Sequence, residues 1–159
     1  PFGLARAGVH EIAPAAYGDL TAACGFALAA GAARQKGAGV WVRSSERVLD
    51  HGGVTGAGLA SFGGDPGRWL LVEARKPVDA LWAIEEAIRS SACSLVIGEA
   101  EDADFTATRR LSLAAARHGT AVVLILRHGR EGATAARDVA LAGCAGTGAR
   151  SAGRGGARV

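Results

Sequence analysis

Five short apolar runs alternate with segments of helical periodicity, and this alternation limits the possible folds more than any other feature of the chain. Val9–Ile12, Val40–Val42, Trp69–Val72, Leu95–Ile97 and Ala121–Leu126 are too short for buried helices and mostly rich in β-branched or aromatic residues, so each is expected to be a strand. After Gly18-Asp19, the residues Ala22, Phe26, Ala27 and Ala30 recur at helical spacing, and that helix is expected to stop near Gly37 to Gly39. The Gly-rich stretch from Leu49 to Gly67 is expected to hold a short helix around Leu59 and a turn at Gly64-Asp65-Pro66-Gly67. Asp79 is predicted to cap a helix whose buried stripe is Leu81, Ile84 and Ile88. Thr106 is predicted to cap the next helix, which carries Leu111, Leu113, Ala114 and Ala115 to a stop at His118-Gly119. Parallel neighbours need helical crossovers, so the pattern implies an α/β fold, a mostly parallel sheet with helices on both faces.

With 159 residues, 49% hydrophobic and 21% charged, the chain has room for one domain and enough apolar surface to build its core without disulfides. The expected division is a core over 1–138 and a disordered tail over 139–159, where Gly, Ala and Arg dominate and periodicity is lost. The formal charge of +3 suggests a nucleic-acid binder until it is located. Through Asp138 fifteen basic residues balance fifteen acidic ones, and the surplus is Arg150, Arg154 and Arg158 in the tail. The body therefore lacks the cationic face of a dedicated DNA binder. Cys24, Cys93 and Cys144 are far apart and have no His at ligand spacing, which argues against zinc or a disulfide framework and for reduced thiols. No apolar run reaches membrane-spanning length and the start does not read as a signal peptide, so no membrane association and a cytoplasmic location are expected. The start at Pro1 and the lack of any Met mark an expected piece of a longer product.

The first strand leads into the window Ala13-Pro14-Ala15-Ala16-Tyr17-Gly18-Asp19-Leu20. A working phosphate loop, GxxxxGK[ST], uses glycines to close backbone N–H groups around phosphate and a Lys to neutralise it. Here only Gly18 matches, and Asp19 stands where the Lys belongs. At about 4 Å and an effective dielectric near 20, one attraction between unit charges is worth about 4 kcal/mol, so reversing its sign costs nucleotide binding heavily. At a helix start, an Asp can accept the exposed N–H groups itself, taking the place of phosphate. An ordinary strand, turn and capped helix would leave the same window.

Several segments resemble known sequence patterns. HEIAPAAYGDLT (His10 to Thr21) is similar to the entry of the RecA recombinase core without its Lys and following hydroxyl, and SLVIGE (Ser94 to Glu99) resembles a Walker B strand with Glu99 in place of Asp. VWVRSSERVLD (Val40 to Asp50) resembles the second core strand and its loop, with Glu46 near a catalytic carboxylate position. DALWAIEEAIRS (Asp79 to Ser90), VIGEAED (Val96 to Asp102), FTATRRLSLAAARHGT (Phe105 to Thr120) and LRHGREGATAAR (Leu126 to Arg137) resemble the ImuA family, bacterial RecA-like proteins of the damage-inducible mutagenesis cassette. After Arg137 the chain departs from that pattern. The resemblance implies a RecA-like core with degenerate Walker A (Pro14, Gly18, Asp19, Thr21) and Walker B (Glu99) motifs, no catalytic residue and no cofactor. It also implies an accessory role in SOS-induced error-prone translesion synthesis. The implied partners are an ImuB-like polymerase-family protein and an error-prone DnaE-type polymerase, with RecA as a further contact and DNA engaged indirectly.

Other polar residues have ordinary readings beside functional ones. Arg109, Arg110, Arg127 and Arg130 are candidate contacts for a partner or for DNA phosphates, or simply exposed helix and loop residues. Glu101, Asp102 and Asp104 form an acidic cluster that reads as a solvated turn or a metal site, and His10 as a core or edge histidine. Trp41, Trp69 and Trp82 are expected in the core rather than as base-stacking platforms. Two alternatives stay open: an atypical ATPase using Gly18, Thr21 and Glu99, and a DNA-binding module using Arg109, Arg110 and Arg127.

Overall fold

The computed structural model describes residues 4–32, 37–44, 52–101 and 103–126. In chain order the elements are β1 (Gly8–Ile12), α1 (Leu20–Ala32), β2 (Ala38–Ser44), α2 (Gly56–Ser61), β3 (Trp69–Ala74), α3 (Pro77–Arg89), β4 (Cys93–Ala100), α4 (Phe105–His118) and β5 (Ala121–Leu126). The strands form one sheet in the order β1-β5-β4-β2-β3, with every neighbouring pair parallel. Each of the five expected strands is present, and helices cover both faces as the alternation requires.

Period-two alternation sorts the strand residues between two cores. On one face Trp41, Leu95, Ile97, Val123 and Ile125 pack with Leu20, Ala23, Ala27 and Leu28 of α1 and Leu59 of α2. On the other, Val42, Val96, Val122 and Leu124 pack with Ala80, Ile84 and Ile88 of α3 and Leu111 and Ala115 of α4. β4 and β5 lie inside the sheet and are buried along nearly their whole length, which is why they read as continuous apolar runs.

The helix ends correct several expectations. Lys76, not Asp79, is the N-cap of α3; its side chain makes no capping bond, and Pro77 starts the helix with its fixed φ while Asp79 sits in the first turn. Asp104, not Thr106, caps α4, its Oδ1 accepting the Ala107 N–H at 2.6 Å. α4 ends as expected, with Gly119 at φ 69°, a left-handed conformation that Gly adopts without a side-chain clash. Trp82 and Leu113 are not core residues: they are 62% and 65% exposed, on the outer sides of α3 and α4. Trp41 is fully buried, and Trp69 packs against the same core with its ring 6.5 Å from that of Trp41.

Candidate functional site at the carboxyl end of the sheet

In open α/β sheets, ligands bind beyond the carboxyl ends of the strands. Here that end carries the loop after β1 and the last residues of β4. Ile12 of β1 is paired with Ile125 of β5, and Ile125 with Glu99 of β4, so β5 alone separates the loop-bearing strand from Glu99. The loop closes in a short 3-10 turn, Tyr17–Asp19, immediately before α1.

Asp19 stabilises this turn from both sides. Its backbone N–H donates to the Ala16 carbonyl at 3.0 Å, and its Oδ2 accepts the Ala16 N–H at 3.1 Å. The carboxylate thereby takes a loop N–H that an anion would otherwise use. Gly18 and Thr21 are exposed and Pro14 is half-buried. A methyl group added at Gly18 would meet nothing within 4 Å, so no close packing holds a glycine there.

Glu99 is buried on the α1 side of the sheet, and its Oε1 accepts from Trp41 Nε1 at 2.6 Å. Trp41 lies on the adjacent strand, opposite Ile97, one same-face position below Glu99. A carboxylate removed from water needs a strong donor, and the indole N–H provides one inside the core. Trp41 thus belongs to this end of the molecule, a role that its core assignment alone did not reveal.

Arg43 is the other polar residue that the strand pattern missed. It pairs across the β2–β3 register with Glu73 through Nη2, while Nε and Nη1 are buried without a hydrogen-bond partner among the described residues. A charge directly after Val40-Trp41-Val42 is the only sequence signal that marks it. Asp104 of the acidic cluster is a helix cap, and Glu101 is half-buried. His10 is buried, with its Nε2 accepting the Ala5 N–H at 3.0 Å. Burial pushes the Cys93 thiol above its ordinary value of 9.0.

Arg109 and Arg110 do not belong to this end of the α1 face. They lie on α4, against the opposite side of the sheet, where Arg110 Nε meets Glu85 of α3 at 2.7 Å. Arg127, Arg130, Glu46 and Asp102 lie outside the described residues. Among the described residues no group of three or more His, Cys, Asp or Glu side chains is placed to hold a metal ion, and no helix is long and apolar enough to cross a membrane.

No family profile matches the chain. The crystal structure of SulA from Pseudomonas aeruginosa shares its fold, with a TM-score of 0.57 at 24% identity over 76% of this chain and 98% of that one. Protein ImuA from two strains of Caulobacter vibrioides is 32% identical over 130 residues, 79% of this chain. The chain spans about half the length of these curated relatives, 51% of each. At that identity over that share of its length, a chain carrying the DALWAIEEAIRS and FTATRRLSLAAARHGT segments on α3 and α4 belongs to the ImuA family.

Proposed function

We propose that this chain is a non-catalytic, RecA-like accessory protein of SOS-induced error-prone translesion DNA synthesis, acting in damage-inducible mutagenesis by binding other proteins. Its partners on this reading are an ImuB-like polymerase-family protein and an error-prone DnaE-type polymerase, with RecA as a further contact and DNA reached through them. Family membership supports the process; the site supports the lack of catalysis. The observation that carries the second part is the Asp19 carboxylate on the Ala16 N–H, which places a negative charge in the loop where a triphosphate would need a positive one. Glu99, tied to Trp41, has a structural use for the carboxylate that a nucleotide site would turn toward Mg²⁺. Neither group fits a bound nucleotide.

Thermal melting with and without Mg-ATP, in the parent chain and in Asp19→Lys, tests this directly. The parent is expected to show no shift, whereas a bound nucleotide at about a hundredfold its dissociation constant would add about 2.7 kcal/mol. A saturable rise in the parent would overturn the reading in favour of an atypical ATPase. A pull-down with the ImuB-like protein tests the partner separately, and failure to retain it would remove the adaptor role.

A further inference from the structure

A second polar centre lies on the opposite face of the sheet, between α3 and α4, where the candidate site contributes nothing. Glu85 of α3 is only 6% exposed, yet its two oxygens hold two guanidinium groups: Oε1 meets Arg89 Nη2 and Oε2 meets Arg110 Nε, both at 2.7 Å. Arg89 also reaches Glu86 at the rim, at 3.3 Å. Both arginines are 55% exposed, so each is anchored at a buried carboxylate while much of its donor surface faces out. A guanidinium carries five N–H donors in a fixed fork, and one carboxylate oxygen satisfies few of them.

These groups line a cavity of about 220 Å³ between the helices, together with Arg117, His118 and the exposed Leu113. Three arginines face one lining carboxylate, so the groove is cationic even though the body through Asp138 has no net charge. The volume is below the roughly 300–1,000 Å³ typical of pockets that enclose a small organic ligand. It suits one or two side chains entering from a surface. Leu113 supplies apolar area that a phosphate backbone would not use, and the neutral body gives a nucleic acid no track to follow beyond the groove.

We propose that the α3–α4 groove is a docking site for an acidic peptide segment of a partner protein. The segment carries carboxylates for Arg89, Arg110 and Arg117 next to a bulky apolar side chain for Leu113. Fixing two of the arginines on Glu85 before the partner arrives removes part of the ordering cost of binding. The site is distinct from the sheet-end loop and stands whether or not the chain binds the polymerase-family partners named above.

The test is fluorescence anisotropy of the full chain with a short labelled peptide of Asp, Glu and Leu residues, compared with the same peptide carrying Asn and Gln. Arg117→Glu and Leu113→Ser change exposed side chains, and Arg109→Glu changes an exposed arginine that is not among the groove residues. The acidic peptide is expected to bind the parent and Arg109→Glu alike, and to bind Arg117→Glu at least about tenfold more weakly, with Leu113→Ser in between. The tail arginines are present in every variant and cancel in this comparison. Equal binding by parent and Arg117→Glu, equal binding of the neutral peptide, no binding to the parent, or displacement by a single-stranded oligonucleotide at matched charge would each overturn the proposal. Because the peptide comes from no natural partner, failure here leaves the pull-down of the ImuB-like protein to be judged by itself.

Discussion

The two faces of the sheet reach close packing by opposite means. On the α1 face the helix supplies the holes: LTAACGFALAAGA is built of small residues, and a methyl added at Gly31 would come within 2.8 Å of Leu95 Cδ2 from the strand below. On the α3–α4 face the strand supplies the hole, because a methyl at Gly98 of β4 would collide with Ile84 of α3. A helix with small residues approaches the sheet closely and leaves room for a large strand side chain, here Trp41. It also has no charge of its own, whereas α3 and α4 carry Glu85, Arg89, Arg110 and Arg117. The difference shows how the α3–α4 side comes to hold a charged groove: helices packed through a narrow apolar stripe keep the rest of their circumference for polar groups.

The packing of the two faces depends most on their largest buried side chains. Trp41→Ala is expected to cost about 3–5 kcal/mol in urea unfolding, the range for aromatic truncation in a core, and it also removes the indole donor from the buried Glu99 carboxylate. Ile84→Ala on the other face is expected to cost about 2–5 kcal/mol and, with Gly98→Ala added, less than the sum of the two single changes. Strict additivity would refute the knob-and-hole pairing. Trp41→Phe sharpens the first result, since it keeps most of the ring packing and removes the donor. A loss of about 1.5–3 kcal/mol would measure the bond to Glu99, and no loss would show the bond to be dispensable.

Smaller effects separate the two helices of the charged face. Asp104→Ala should cost about 1 kcal/mol by removing the side-chain cap of α4, while Lys76→Ala, with no capping bond to lose, should be nearly neutral. Equal losses would show that the Asp104 bond contributes nothing. The smallest expected effect is at Cys93. The unfolded chain ionises this thiol near 9.0 and the folded chain only at higher pH, so the unfolded state loses its proton first and stability falls as pH rises past that value. Cys93→Ala should remove that part of the alkaline slope, and an unchanged slope would assign it to other groups.

Much of the fold was legible because long apolar strands and helical stripes are local signals. All five strands, the short helix at Leu59 and the Gly119 stop could be read from residue type and spacing. The misplaced caps had a different cause. Asp79 and Thr106 are good capping types, but the caps lie earlier, at Lys76 three residues before Asp79, where Pro77 starts the helix, and at Asp104 two residues before Thr106, and the sequence does not say which residue wins. Trp82 was misread because hydrophobicity does not tell which side of a helix meets the sheet. At the site, the substitution of Asp19 and its readiness to accept a loop N–H were visible in the loop pattern, because the bond to Ala16 is local, whereas the pairing of Glu99 with Trp41 depends on strand order. Arg110 was singled out as a contact residue without Glu85, since the pair meets across two helices.

The sheet order has a further consequence for how the molecule comes into being. Of the described strands β1 is made first, but its partner among them is β5, made last, with Gly8 opposite Ala121 and Ile12 opposite Ile125. At about 5–20 residues per second, β1 waits on the order of 6–20 s for its neighbour, while β2, β3 and β4 are already available to pair. During that interval α1 and its apolar face have no completed sheet to cover. Of the described elements, β1 and α1 are therefore the ones whose apolar surface waits longest for cover, until β5 is complete at Leu126.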